Sequence, residues 1–219
     1  FVLARDMNLT DITVTSRYWA HTTGAGVNLN TGTAKTQGFS GIFDGRGHTL
    51  YGGTYKLGGL FGTVSENGTV QNVAFTGVSV DTSNNGTGNA ILAGYFNGTL
   101  KDVLVEGTCD GTGVNSGFMT YRATYAQLEN VIIYYKNNVV NGDASKVLLV
   151  APITRHNDMP ACENVYVFTD HTKLCGSNGN VTGVTKYSYG TKLSQASVTG
   201  LTAPFWDLSG DRASFTDPD

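Results

Sequence analysis

The same four-residue anchor recurs along this chain at a near-constant step. Val70-Gln71-Asn72-Val73, Leu100-Lys101-Asp102-Val103, Leu128-Glu129-Asn130-Val131 and Cys162-Glu163-Asn164-Val165 set an asparagine or aspartate at intervals of 30, 28 and 34 residues. Each anchor opens a short alternating run (VAFTG, VLVEG, VIIYY, VYVFT), and each has a second apolar run upstream: Gly59-Leu60-Phe61-Gly62, Ile91-Leu92-Ala93-Gly94, Gly117-Phe118-Met119 and Leu148-Leu149-Val150-Ala151. A unit of this length with two or three short strands cannot bury a core alone, whereas stacked units bury a continuous one. The pattern predicts an all-β chain, a single-stranded parallel β-helix with irregular loops. A β-sandwich would also supply many short strands, but it has no need of one anchor repeated four times.

The period of two within a strand sets the register. Val73 and Phe75, Val103 and Val105, Val131 and Ile133, and Val165 and Val167 are expected to point inward. Asn72, Asp102, Asn130 and Asn164 fall one residue before the strand, at a corner, where an amide bonds the turn and tolerates a left-handed backbone. Amides stacked at equivalent corners are expected to bond one another. Composition agrees: 29 glycines in 219 residues serve turns, and charged residues make up only 14%. Stacking places like residues side by side, where repeated charge would repel. The net charge of −3 gives no basic footprint for nucleic acid, and no apolar run is long enough to insert in a membrane.

Phe39-Ser40-Gly41-Ile42-Phe43-Asp44-Gly45-Arg46-Gly47-His48-Thr49-Leu50, followed by Gly58-Gly59-Leu60-Phe61-Gly62 and Gly68-Thr69-Val70-Gln71-Asn72-Val73, resembles the GLUG-repeat group of bacterial surface proteins. That group is similar to right-handed parallel β-helix proteins of the pectate-lyase-like type. The resemblance implies a right-handed helix, an extracellular or cell-surface setting, and a module of an adhesin-like or glycan-associated protein. It carries no catalytic set. The expected organisation is one domain over 1–219, with coils over about 38–170 and a C-terminal capping segment over about 171–219, cut from a longer protein. Neighbouring domains of the same chain are then partners.

Several residues attract a chemical reading. Asp44, Arg46 and His48 lie within five residues, but Asp-Gly-Arg-Gly is a turn sequence, so Asp44 and His48 are expected to be structural, like the anchors. Lys101 and Glu129 share a slot on successive coils and are expected to pair, with Glu163 above Glu129 as a like-charge neighbour. No two carboxylates converge as a glycosidase requires. No cofactor is indicated; Ca2+ would need oxygen ligands brought together from loops. Cys109, Cys162 and Cys175 form no CxxC, and are read as buried thiols, with a Cys162–Cys175 bridge as the other possibility.

The outward slots carry the functional expectation. Up the stack they read Ala74, Leu104, Ile132 and Tyr166, then Thr76, Glu106, Tyr134 and Phe168, turning aromatic toward the C-terminal half. Aromatic faces stack on sugar rings. Ile132, Tyr134, Tyr166 and Phe168, with Tyr121, are therefore the candidate ligand-binding residues of a non-catalytic module, whose partner would be a glycan or a host or cell-surface protein. Another fate for the wall is a cover formed by residues 171–219; a further reading is a structural or receptor-binding appendage, a phage fibre or a stalk spacer, whose trimeric form would bury the wall between subunits. A polysaccharide lyase or glycoside hydrolase is the remaining reading of the fold, since fold alone does not settle function.

Overall fold

The computed structural model describes residues 1–14, 38–56, 59–83, 89–111, 116–138 and 151–216. Four long strands contain the four anchors, at Thr69–Asp81, Thr99–Asp110, Gln127–Asn137 and Ala161–Phe168, rather than starting after them. Each pairs in parallel with the next, so that Val73, Val103, Val131 and Val165 stand over one another, as do Phe75, Val105, Ile133 and Val167. Shorter strands extend this sheet below, at Met7–Asn8 and Thr49–Tyr51, and above, at Val184–Tyr187. A second parallel sheet of Phe61–Val64, Ala93–Phe96 and Thr120–Arg122 forms an opposing wall, continued by single bridges at Thr154 and Cys175. The chain is thus an all-β parallel solenoid. The strands of the second wall begin two or three residues after the first residue of the apolar runs that announce them. The fourth such run, Leu148 to Val150, lies outside the described residues.

The alternation holds on both faces. The eight inward residues are fully buried and belong to the interior cluster, while Ala74, Leu104, Ile132, Tyr134, Tyr166 and Phe168 form a second cluster outside the sheet. A gap in register after Phe75 marks a bulge, so Thr76 does not continue the outward row that Glu106, Tyr134 and Phe168 share.

All four anchors adopt the left-handed conformation, with φ between 51° and 55°. An L-residue with a larger side chain and no local amide pays roughly 1–2 kcal/mol for that geometry, which is why Asn and Asp recur there. The side chains then bond along the stack. Asn164 Nδ2 donates to Asn130 Oδ1 at 3.1 Å, and Asn130 Nδ2 donates to Asp102 Oδ1 at 3.1 Å. Lower down, Asn72 Nδ2 donates to Asp44 Oδ1 at 3.0 Å. Two donor chains therefore each end on a carboxylate, which accepts without needing to donate.

The segment after residue 170 divides in two. Its first part adds a rung, since Val184–Tyr187 pairs in parallel on Val165–Phe168. The corner there is Gly183, with φ 79°, standing beside Asn164. A search for Asn or Asp anchors misses this rung because glycine reaches the same backbone region without help from its side chain. The second part, from about Tyr189 to Phe215, runs back over the outer wall, with a small antiparallel hairpin of Trp206–Asp207 and Ser214–Phe215.

Candidate functional site

The aromatic wall is covered by the chain's own C-terminal segment. Tyr134, Phe168 and Tyr187 stack in a column, with ring centroids 4.6 and 5.1 Å apart. Arg212 lies over the Tyr134 ring at 4.0 Å and over Tyr189 at 4.8 Å, and pairs with Glu106 at 3.1 Å. The Ala213 amide donates to the Tyr134 hydroxyl at 2.9 Å, and the Thr199 amide donates to the Tyr166 hydroxyl at 2.8 Å. Leu193, Val198, Leu201 and Leu208 complete the apolar contact. Ile132, Tyr134, Tyr166 and Phe168, the sequence-based ligand candidates, are all buried. The correction has a simple physical cause: a strip of rings flanked by apolar side chains gains more from a covalently tethered cover than from water. Those rings offer no face to a ligand while the cover is in place.

Tyr121 lies elsewhere, on the short-strand wall. It too is mostly buried, but it sits inside a group of cations and rings. Tyr95 packs edge-on at 6.0 Å on one side and His156 edge-on at 4.7 Å on the other. The Arg155 guanidinium stands 5.4 Å from the Tyr121 centroid. Its Nη1 donates to the Tyr121 hydroxyl at 3.1 Å and lies 3.0 Å from His156 Nε2. A guanidinium only donates, so His156 Nε2 accepts and the imidazole proton belongs on Nδ1. Burial, with Arg122 and Arg155 nearby, lowers the His156 pKa to about 4, so the ring is neutral at physiological pH. Asp158 is 3.8 Å from Arg122 Nε, an ion pair too long for a hydrogen bond. Two arginines against one aspartate leave this group positively charged. Among the described residues, Arg155 Nε is buried with no protein acceptor.

Sequence reasoning passed over Arg155 and His156. The signal was present: Thr154 follows Thr120 by 34 residues, the same step that separates Asn164 from Asn130. Thr120 and Thr154 are bridged, which sets Arg155 and His156 on the rung above Tyr121 and Arg122.

The other candidates resolve into structure. Asp44 accepts from the Arg46 amide at 2.9 Å, from Asn72 and from Gln71 Nε2 at 3.0 Å. Burial acts to raise its pKa, but these hydrogen bonds outweigh it and hold the carboxyl below its usual range. His48 is buried, with Nδ1 3.3 Å from Asp6 Oδ1. Lys101 and Glu129 pair at 2.8 Å, and Glu129 and Glu163 are neighbours in the ladder. On the far edge of the sheet Asp81 and Asp110 are also ladder neighbours; Lys56 lies 3.0 Å from Asp81, while Ser79 and Asn138 donate to Asp110. Among the described residues no group of three or more His, Cys, Asp or Glu is placed to hold a metal ion. The three cysteines are free thiols. Burial raises Cys162 and Cys175 to about 12 and Cys109 still further. At pH 8 a thiol reagent is therefore expected to leave the buried Cys109 and Cys175 unlabelled in the native protein over minutes and to modify all three cysteines after denaturation; prompt native labelling of Cys109 or Cys175 would contradict their burial.

No family model matches this chain, and no solved structure matches it. Among curated proteins it is similar to halomucin of Haloquadratum walsbyi, with 35% identity over 83 residues, which is 36% of this chain. The match spans about 1% of halomucin's length. Among the described residues no helix is long and apolar enough to cross a membrane, a statement that leaves β-barrels aside.

Proposed function

We propose that this chain is a non-catalytic module of a long extracellular surface protein, and that it binds acidic carbohydrate through the face built by Tyr95, Tyr121, Arg122, Arg155 and His156. The observation that carries this reading is the contrast between the two walls. The outer aromatic wall is spent on an internal cover, while the short-strand wall leaves Tyr95, Arg122, Arg155 and His156 half-buried around the Tyr121 ring, with Asp158 beside Arg122. Guanidinium recognises carboxylate or sulfate through paired N–H donors, and rings pack on sugar C–H surfaces. The surface setting is supported by the likeness to halomucin, whose name marks it as mucin-like, and by a repetitive fold suited to arrays. The trimeric-appendage reading needed the Ile132, Tyr134, Tyr166 and Phe168 wall to close between chains. The chain's own residues occupy that face, so no observation favours it.

An array holding uronate-bearing, sulfated and neutral glycans tests the proposal. Binding confined to the acidic glycans is expected, falling at least about tenfold in Arg155→Gln, the scale of a lost charge-assisted hydrogen bond. No binding of acidic glycans by the wild type overturns the reading. So does equal binding by an Arg155→Gln protein of unchanged melting temperature.

A further inference from the structure

The two ends of the solenoid are finished differently. One inward column runs Met7, Leu50, Phe75, Val105, Ile133, Val167 and Lys186 in consecutive ladder pairs. At the C-terminal end it stops on an exposed lysine, the charge that blunts many natural sheet edges. The interior beside it is closed by the buried Leu174, Cys175 and Val181, and the intervening Ser177, Asn178 and Asn180 are polar and at least partly exposed. At the N-terminal end the column stops on Met7, which is 40% exposed, whereas Leu50 one rung inside is 3% exposed. Phe1 lies tilted beside Phe39, with ring centroids 5.9 Å apart, yet is 84% exposed. Of the eight exposed large hydrophobic residues among those described, six belong to this end: Phe1, Val2, Met7, Ile12, Ile42 and Tyr51. Among the described residues, the outer edge of Met7–Asn8 carries no partner strand. A stacked-repeat protein needs a polar terminal repeat to stay soluble, and among the described residues one is present at the C-terminal end alone.

We propose that the N-terminal end is a stacking surface for one further β-coil of the same polypeptide, encoded ahead of Phe1. Its strand pairs in parallel on Met7–Asn8, and its inward residues close over Phe1 and Met7. Three observations select this occupant. Every pairing in the main sheet is parallel, and a preceding coil of one chain delivers a strand in that direction. A second copy stacked head to tail would seat Lys186 on Met7 and bury an ammonium without a counter-charge. A second copy related by a two-fold axis would set Met7–Asn8 antiparallel to itself, breaking the inward column. The match to a segment forming about 1% of halomucin is consistent with coils set in a long chain.

The inference rests on reading the chain as a module of a longer protein. Its test is to express the chain with the roughly 30 residues encoded ahead of Phe1, about one repeat. The extended protein is expected to melt at least about 5 °C higher and to lose the binding of a hydrophobic dye that the shorter chain shows. The variant Met7→Lys sharpens the comparison. It should lower the melting temperature of the extended chain by several degrees and leave the shorter one within about 1 °C, because the site is buried only in the former. An unchanged melting temperature on extension, equal effects of Met7→Lys in both forms, or the lack of any coding sequence ahead of Phe1 overturns the proposal. Sedimentation of the shorter chain as a dimer that Met7→Lys dissociates overturns it in favour of a second copy. Glycan binding at Arg155 is read separately, on the short-strand wall, so failure here leaves that reading standing.

Discussion

Phe168→Ala is expected to destabilise the protein by about 4 kcal/mol, lowering its melting temperature by roughly 10 °C. Phe168 is fully buried and stacked between Tyr134 and Tyr187, so truncation opens a cavity on both sides of the ring. The cavity sits between the sheet and the C-terminal segment, and neither surface can collapse freely. Tyr134 is held by the Ala213 amide and by Arg212, and Tyr187 by hydrogen bonds to both the amide and the carbonyl of Ser197 at 3.0 Å. Calorimetry of the variant measures the loss directly. A drop smaller than about 2 °C would mean that the segment does not pack on the wall in solution, since an exposed ring costs little when removed.

The second large effect belongs to the corner ladder. Asn130→Ala is expected to cost about 3 kcal/mol, combining two lost amide bonds with the left-handed strain of an alanine. Asn130 both donates to Asp102 and accepts from Asn164, so its removal strands a carboxylate oxygen and an amide at once. Asn130→Gly separates the contributions: it loses the same bonds but accepts the φ of 55° freely, and should be about 1 kcal/mol less damaging than alanine. Chemical denaturation of the three proteins checks this order. Alanine equal to glycine would show that the backbone conformation is not the reason for asparagine at this slot.

The corners were legible in the sequence because their constraint is local. A left-handed residue ahead of an alternating run asks for Asn or Asp in every coil, and Asn72, Asp102, Asn130 and Asn164 answer in the same way. The inward register was legible for the same reason, as the period of two is set within each strand. The fate of the outer wall was not, because Tyr134 and Phe168 read identically whether a sugar or Leu193 lies against them. That choice is made by contacts such as Ala213 to Tyr134, 79 residues apart, for which no repeat gives a signal. The rung at Val184–Tyr187 escaped notice because its corner is Gly183, which meets the backbone requirement without the marker side chain. Arg155 and His156 escaped because they occupy the irregular wall, where spacing alone, without a shared residue type, records equivalence.

The returning segment also changes how this solenoid must fold. A bare stack touches only its neighbours, so it can form coil by coil and fray from its ends. Here Thr199 is tied to Tyr166, Arg212 reaches Glu106, and Phe205 rests on Gly47, one of the earliest corners, 158 residues away. These contacts span the stack from the Ala161–Phe168 rung back to the coil that carries Thr49–Tyr51. They raise the contact order of a chain whose ladder pairs are already distant in sequence, which slows folding. They also couple coils that would otherwise melt independently, drawing a one-dimensional array toward a single cooperative transition. On the ribosome the cost is a delay: the aromatic wall stays bare until residues 189–215 emerge, and that interval is when this chain is most exposed to aggregation.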